Sequence, residues 1–256
     1  MLTSFLENIG SRMLALLYFV GDMTLLLAGT LKQLPQKFRG RQLLHQMSHL
    51  GVDSLPIVSL TLLFTGMVMT LQMAREMISF GAESTVGGII AIATGRELGP
   101  VLVGVVAAGR VGSAMTAEIS TMKVTEQIDA LKVMAVNPLG YLVGPRMLAC
   151  MVMVPLLTVY GNIISVAGGW LVSLKYFGIS SYVYWHSVMQ YADGSDLYGG
   201  LIKAVVFGVV IAIVGCYYGM RAPDGAEGVG MATTRSVVTS IIIIFLLNVI
   251  LSWMLY

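Results

Sequence analysis

Charged residues are scarce in this chain, and their scarcity excludes most soluble folds. Only 11% of the 256 residues are charged, 57% are hydrophobic, and the mean hydropathy is +0.84. A soluble domain usually carries about a quarter charged residues. The net charge of +2 is small and its positive residues are scattered, so nothing indicates a nucleic-acid partner. We therefore expect an integral membrane protein.

Residues that build metal centres and catalytic sites are also few. The two cysteines, Cys150 and Cys216, lie in apolar segments without metal-ligand spacing, and the three histidines form no HExxH motif. No GxxxxGK[ST] loop is present, so this chain cannot hold ATP phosphates itself. We expect a transport protein with no catalytic residue, metal site or cofactor of its own. The N-terminus also lacks the pattern of a cleavable signal peptide.

Five apolar stretches are long enough to cross a bilayer, because a span takes about 20 mostly apolar residues. The fold class expected is all-α, with residues 53–256 forming a five-helix membrane domain. The predicted spans are Asp53–Arg75, Ser84–Met115, Arg146–Leu174, Tyr198–Met220 and Ser236–Tyr256.

Residues 1–52 are expected to form an N-terminal interfacial helix and a basic segment. The stretch Met13–Leu31 is apolar and about long enough to span, but Asp22 stands at its centre. A lone aspartate is costly in hydrocarbon. A helix lying in the interface, or a shallow elbow, therefore explains this stretch better than a span.

Basic residues are unevenly distributed around the spans, and the positive-inside rule converts this into an orientation. The N-terminus is predicted to be cytoplasmic and the C-terminus to lie outside. The outer loop 175–197 is rich in aromatic residues and should contain a short surface helix around Ser180–Tyr191. The inner positive residues are Arg12, Lys32, Lys37, Arg39, Arg41, Lys123, Lys132, Arg146, Arg221 and Arg235, whereas the outer side has only Arg75 and Lys175.

An arginine and a glutamate stand side by side in the second span, at Arg96-Glu97. A charge at bilayer depth costs several kcal/mol, so it is rarely found without a partner, a watery cavity or a function. Gly95, Gly99 and Pro100 flank the pair, and the backbone should bend or pack closely there. The stretch indicates a transport site, in which Glu97 would balance Arg96 when the cavity is empty.

Two other groups in the spans are candidates for lipid contact. The outer half of the first span carries flexible methionines that suit either a lipid-tail pocket or ordinary core packing. Lys203, near the outer end of the fourth span, either snorkels to the interface or meets an anionic headgroup together with Arg96. The first-span residues are Met67, Met69, Met73 and Met77, followed by Phe80.

The loop between the second and third spans is expected to contain a short amphipathic helix, about residues 121–135, that Asn137-Pro138 terminates. Such a helix suits docking into a partner protein, although a membrane-surface helix is the alternative. The apolar face would carry Val124, Ile128, Leu131 and Ala135; the predicted coupling residues are Val124, Glu126, Ile128, Asp129 and Leu131.

The run from Arg96 to Arg146 (RELGPVLVGVVAAGRVGSAMTAEISTMKVTEQIDALKVMAVNPLGYLVGPR) resembles the permease subunit of the MlaE family. Thr65–Gln72, Leu201–Gly208 and Ala232–Val238 match this family too. Its members are the membrane components of ABC systems that move phospholipids between the inner and outer membranes of Gram-negative bacteria. The resemblance implies a bacterial inner-membrane protein that maintains the lipid asymmetry of the outer membrane.

The resemblance also implies partners and a binding site. It implies a homodimer with an outward-facing lipid cavity at its interface, an ABC ATPase that binds ATP and Mg²⁺, a small STAS-domain subunit and a hexameric ring of MCE-domain subunits. Glu76 falls at a pocket position that is apolar in some relatives, and Asn248 stands where an acid can occur. The matching pocket positions are Met69, Met77, Phe80, Arg96, Glu97 and Lys203.

Two other functions remain open from the residues alone. An ion- or proton-coupled secondary transporter or channel could use Arg96-Glu97 as its coupling element. A scaffold that anchors an envelope complex is a third class, but it does not explain ionised groups at mid-membrane depth.

Overall fold

A computed structural model of the protein describes residues 2–33 and 40–256, apart from the side chains of residues 2–9, 12, 16, 41 and 42. Lys37 and Arg39 of the predicted basic segment lie outside the described residues, as do the side chains of Arg12 and Arg41. Everything described is helical or forms short connections between helices, which confirms the all-α membrane fold.

The helices of the described part follow one another with short connections. Single turns of 3₁₀-helix occur at Val52–Ser54 and Glu83–Thr85, and π-turns occur at Thr94–Leu98, Ala108–Gly112 and Leu139–Val143. The α-helices are α1 (Leu2–Gln33), α2 (Gly40–Gly51), α3 (Leu55–Ser79), α4 (Val86–Ala93), α5 (Gly99–Ala107), α6 (Ser113–Val124), α7 (Gln127–Val133), α8 (Gly144–Tyr176), α9 (Ser181–Tyr191), α10 (Gly194–Met220) and α11 (Gly225–Leu255).

Six helical stretches of the described chain are long and apolar enough to cross a membrane, one more than predicted. The additional stretch is Met13–Gln33. Its Asp22 is not alone, since Oδ2 lies 2.9 Å from Nη2 of Arg221 at the end of α10. The argument from an isolated aspartate is therefore wrong, while the interfacial position of this helix stays a prediction.

The long helices form a bundle with two distinct ends, which we name after the short helices there: the α7 end and the α9 end. α8 and α10 lie at the centre, α3 packs along α8, and α11 packs on α10 and α6. At the α7 end, Thr116 of α6 bonds to both neighbours, with Oγ1 3.2 Å from the Gly215 carbonyl and 2.9 Å from Ser236 Oγ.

Glycine allows the closest of these helix contacts. A Cβ at Gly200 of α10 would overlap the carbonyl oxygen of Gly95, and one at Gly66 of α3 would overlap the carbonyl oxygen of Ser165. Small residues let backbones approach in this way within a membrane. The Gly200 contact sets α10 directly against the π-turn that holds the charged pair.

The short helix predicted around Ser180–Tyr191 is present as α9, while its position on the outer side stays a prediction. Ser180 caps its N-terminus by accepting a hydrogen bond from the Val183 backbone N–H at 3.3 Å. Tyr184 anchors the helix, because its buried hydroxyl donates to the Val166 carbonyl at 3.0 Å. Burial raises the pKa of Tyr184, so this phenol keeps its proton and the bond.

The helix predicted over residues 121–135 is two helices instead. α6 continues to Val124, and Glu126 then takes a left-handed conformation with φ of +58°, which starts α7 in a new direction. α7 ends at Val133, before the predicted stop, and Ala135 also has a positive φ of +56°. The single amphipathic helix is therefore a wrong prediction, because the backbone turns at Glu126.

Candidate functional site

The pair Arg96-Glu97 lies in the π-turn Thr94–Leu98, which its flanking residues produce. The first N–H of α5 donates to the Thr94 carbonyl five residues back, as a π-turn requires. Pro100 has no backbone N–H, so the Arg96 carbonyl four residues earlier lacks its usual helical donor. The irregular backbone expected here is confirmed, and it leaves the Arg96 carbonyl to be satisfied by a donor other than the Pro100 backbone.

Each member of the pair is neutralised by α10 rather than by its neighbour. Arg96 Nε lies 2.6 Å from Asp196 Oδ1, and Glu97 Oε1 lies 2.7 Å from Lys203 Nζ two turns further along α10. Adjacent residues of a helix point in different directions and cannot face each other. The expectation that Glu97 balances Arg96 is therefore wrong.

Lys203 is fully buried and fully hydrogen-bonded. Its side chain is 0% exposed, and Nζ donates to Glu97 Oε1 at 2.7 Å, to Ser252 Oγ at 2.8 Å and to the Arg96 carbonyl at 3.1 Å. An ammonium group has three donors, and all three are used. Lys203 does not snorkel to the interface, and contact with a headgroup would require it to release one of these bonds.

α11 completes the environment of Glu97. Asn248 Nδ2 donates to Oε2 at 2.9 Å, and Ser252 Oγ lies 2.8 Å from Oε1. The two α11 residues are four positions apart and so share one face of the helix. Both carboxylate oxygens of Glu97 therefore have partners, and Asn248 serves as a neutral donor to this acid.

Arg96 is on the open side of the site. Its side chain is 39% exposed, whereas that of Asp196 is 5% exposed. The guanidinium carbon lies 4.7 Å from the centre of the Tyr256 ring, whose hydroxyl donates to the Asp196 carbonyl at 3.2 Å. Within the described chain no side chain accepts from the terminal nitrogens of Arg96. They form a planar fork that suits a phosphate or carboxylate.

The site carries no net charge. Arg96 lies level with the first turn of α10, where Asp196 belongs to the capping box, and with Tyr256 at the end of α11. Two cations and two acids are present in two pairs. This pairing explains how an apolar span accommodates them.

The predicted lipid-binding residues of the first span belong to a different part of the packing. Met69, Met73 and Met77 are half-buried, and Phe80 at the end of α3 is 75% exposed. Met77 packs against a small cluster around Tyr184. Within one copy α3 lies mainly on α8, whereas the ion pairs join α10 and α11 to the π-turn.

Some of the predicted coupling residues pack against the chain's own core, and others are exposed. Ile128 is buried and Leu131 packs against the core, so the apolar face of α7 holds this helix to its own chain. Glu126 and Asp129 are exposed, and Val124 ends α6. Two apolar residues that periodicity missed, Val133 (88% exposed) and Met134 (63%), project from the α7 end instead.

Three residues of the site went unrecognised in the sequence: Asp196, Ser252 and Tyr256. A local pattern could have identified the first, since Asp193 and Asp196 form a capping box that begins α10. The other two carry no such pattern, because neutral polar residues near the end of a span are ordinary. Only the packing of α11 against the π-turn shows their role.

The fold and the paired charges define a multi-pass helical membrane protein with a polar site inside its bundle. Residues 43–254 match the family model described as Permease MlaE. The match covers most of the chain, and the protein belongs to this permease family.

Relatives from three kinds of organism support the assignment. A probable ABC transporter permease protein of Synechocystis sp. is 46% identical over 216 residues, which are 84% of this chain and 82% of that protein. A Rickettsia bellii protein with the same description is 38% identical over 253 residues, 98% of each chain. The Arabidopsis thaliana chloroplast protein Trigalactosyldiacylglycerol 1 is 38% identical over 222 residues, 87% of this chain and 63% of its own length.

Proposed function

We propose that this chain is the permease subunit of an ABC transporter that moves phospholipids between the inner and outer membranes of a Gram-negative bacterium. Membership of the MlaE permease family supports a transport role, and the descriptions of the bacterial relatives support the ABC class. The Arabidopsis relative carries the name of a glycerolipid, which favours a lipid as the transported molecule. The transporter would maintain the lipid asymmetry of the outer membrane.

The observation that carries the lipid proposal is the arrangement of Arg96. Its Nε is fixed to the buried Asp196 at 2.6 Å, while its two terminal nitrogens remain open beside the start of α10. A guanidinium fork binds phosphate oxygens by two charge-assisted hydrogen bonds. Apolar helix surfaces surround it and would hold the acyl chains.

A homodimer would enclose this site. The outward face of α11 is apolar and exposed in a single copy, although the helix carries Asn248 and Ser252 on its inner face. A second copy packed there would place the two Arg96 sites on one shared cavity, together with Met69, Met73, Met77 and Phe80 of α3. The exposed α11 residues include Leu246, Val249, Ile250, Trp253 and Met254.

The α7 end would face the cytoplasm and bind the ATPase, which holds the ATP and Mg²⁺. Exposed Val133 and Met134 offer an apolar contact, and Glu126 and Asp129 offer charges beside it. The N-terminus would then be cytoplasmic and the C-terminus periplasmic. A STAS-domain subunit on the ATPase and a hexameric MCE ring over the α9 end complete the proposed assembly.

Transport would result from a switch of the dimer between two conformations. Closure of the ATPase pushes the two α7 helices together and narrows the cavity at the α9 end, which expels the lipid. Lipid occupancy therefore depends on Arg96, whereas energy input depends on α7.

The test is reconstitution of the chain with its co-purifying ATPase in vesicles that contain a fluorescent phospholipid. We expect lipid transfer to acceptor vesicles that requires ATP and is lost when the ATPase cannot hydrolyse it. Activity of this chain alone, driven by an ion or proton gradient, would instead establish a secondary transporter and overturn the proposal.

A further inference from the structure

The ring of Tyr256 lies against both cations of the ion-paired site. Its centre is 4.7 Å from the guanidinium carbon of Arg96 and 5.1 Å from Nζ of Lys203. Both distances are within the roughly 6 Å over which an aromatic face attracts a cation. One uncharged side chain therefore occupies space next to both positive groups, where an anionic ligand of the site would also bind.

The neighbouring part of α10 is shaped to receive this ring. The Tyr256 hydroxyl donates to the Asp196 carbonyl at 3.2 Å. Gly199, three residues further along α10, leaves room for the hydroxyl, because a Cβ there would overlap the hydroxyl oxygen. The Tyr256 backbone N–H donates to the Ser252 carbonyl at 3.1 Å. The ring therefore contacts α10 while its backbone continues the last turn of α11.

The same turn of α11 supplies one of the three acceptors of Lys203. Ser252 Oγ lies 2.8 Å from Nζ, and Ser252 precedes Tyr256 by four residues, so both side chains are on one face of the helix. Displacement of this turn would remove the ring and the hydroxyl from Lys203 together. Glu97 and the Arg96 carbonyl would remain as acceptors, which leaves one N–H of Lys203 free for a ligand.

The end of a helix is also the part that opens most easily. The last four carbonyl groups of a helix have no partner within it, and helix ends unfold locally at little cost. Ser252 and Tyr256 belong to the last turn of α11, whereas Lys203 lies in the interior of α10. The partner of Lys203 that can move away is therefore the end of α11.

We propose that the last turn of α11 is a gate over Lys203, with Tyr256 as its closing residue. In the empty site the ring covers Lys203. When a phospholipid enters, its phosphate displaces the ring and binds Arg96 together with the released N–H of Lys203. The inference rests on the proposed function, and it gives the fully buried Lys203 a route to the lipid. Tyr256 competes with the ligand and is a positioning residue, since it forms no bond to the lipid.

The experiment measures how strongly the complex of this chain and its ATPase binds phosphatidylglycerol. The purified complex in detergent is titrated with this lipid in the absence of ATP, and bound lipid is counted by mass spectrometry. Tyr256→Leu removes the ring and keeps an apolar side chain, whereas Tyr256→Phe keeps the ring without the hydroxyl. Tyr198→Leu is the matched control, because Tyr198 is 70% exposed on α10 and makes no hydrogen bond or ring contact within the described residues.

Removal of a competing ring should tighten binding, which is the opposite of what the loss of a lipid contact or of stability would do. We expect Tyr256→Leu to lower the phosphatidylglycerol concentration at half-occupancy by about five- to tenfold, since two cation–π contacts no longer oppose the lipid. Tyr256→Phe loses only one hydrogen bond and should gain about two- to threefold. Tyr198→Leu should equal the unmodified complex. Weaker or unchanged binding in Tyr256→Leu overturns the proposal, as does an equal gain in Tyr256→Phe.

A background without the lysine tests which group the ring covers. In Glu97→Gln/Lys203→Met no ammonium group lies under the ring. The further change Tyr256→Leu should therefore raise the affinity clearly less than it does in the unmodified site. An equal gain in this background overturns a gate over Lys203.

Gly199→Ala opens the same gate without a change in Tyr256. Its Cβ would displace the Tyr256 hydroxyl from α10. This variant should also bind phosphatidylglycerol more tightly, and weaker or unchanged binding contradicts the gate even if Tyr256→Leu does not fold.

ATP-driven lipid transfer is measured on the same preparations to separate this inference from the proposed function. Transfer by the unmodified complex, together with unchanged affinity in the Tyr256 variants, removes only the gate. The absence of both bound phospholipid and transfer in the unmodified complex removes the proposed function.

Discussion

The ammonium group of Lys203 takes the place of the backbone N–H that Pro100 lacks. Pro100 leaves the Arg96 carbonyl without a helical donor, and Lys203 Nζ donates to that oxygen at 3.1 Å. The same ammonium group lies 2.7 Å from the carboxylate of Glu97. One buried lysine thus satisfies both the irregular backbone and the charge beside it, so the two features depend on each other.

Replacement of Lys203 by methionine should destabilise the protein strongly. Glu97 would lose its counter-charge and the Arg96 carbonyl its donor; because the Glu97 side chain is 38% exposed, we expect a cost of about 3 kcal/mol, the lower limit for breaking a buried pair. The added change Glu97→Gln should recover part of the loss, because no uncompensated charge then remains. Thermal unfolding of the purified protein measures both. Lys175→Met, at an exposed position, is the control, and equal melting temperatures for all variants would contradict the role of the pair.

Neutralisation of the Arg96–Asp196 pair should reduce the amount of bound lipid more than it reduces the stability of the fold. In the double variant Arg96→Gln/Asp196→Asn the fold loses a pair that is partly exposed, which contributes about 1 kcal/mol or less. The guanidinium fork is also lost, so bound phospholipid should fall about tenfold. Mass spectrometry of co-purified lipid and a melting curve measure the two effects. Wild-type lipid content in the double variant would remove Arg96 from the binding site.

Substitutions at the α7 end should separate docking from folding. Met134→Glu places a charge on an exposed apolar residue, so ATPase binding should weaken at least several-fold while the melting temperature stays within a few degrees. Ile128→Glu buries a charge in the core and should destabilise the chain itself. Pull-down of the ATPase and thermal unfolding measure these outcomes. Unchanged ATPase binding by Met134→Glu would show that the ATPase docks on a different surface of the chain.

The contact of α10 with the π-turn should be sensitive to a single methyl group. Gly200→Ala would push its Cβ into the Gly95 carbonyl and move Lys203 away from its acceptors, at a cost of about 1–3 kcal/mol. Gly230→Ala is the matched control, because open space surrounds that position on α11 and alanine favours a helix by about 1 kcal/mol. The melting temperature should therefore fall in Gly200→Ala and rise in Gly230→Ala. An unchanged melting temperature in Gly200→Ala would show that α10 can move away from the π-turn without destabilising the protein.

Much of the fold follows from hydrophobic length, whereas the details of the site depend on packing. The long apolar runs predicted the positions of the spans. The free-energy cost of a charged side chain within a membrane indicated that Arg96-Glu97 belongs to a functional site. The partners Asp196 and Lys203 lie a hundred or more positions away, so no local pattern could assign them. Adjacency in sequence suggested instead that the pair neutralises itself, which helix geometry forbids.

Two other failures have local causes. The prediction over residues 121–135 assumed an unbroken helical period, but Glu126 adopts a left-handed conformation that is rare for a residue with a side chain. The argument about Asp22 treated it as isolated, although Arg221 nearly two hundred positions later pairs with it. Each error arose from a contact or dihedral that hydrophobicity does not encode.

The two π-turns of the second span change the relation between residue number and side-chain direction along this helix. Thr94–Leu98 and Ala108–Gly112 each insert one surplus residue relative to an α-helix. Every surplus residue rotates all later side chains by about 100° against the earlier ones. A homologue with one residue deleted between Val86 and Val124 can therefore keep the side chains at both ends of the span in the same orientation if one π-turn becomes a regular α-helical turn. In a helix without π-turns, the same deletion would rotate every later side chain.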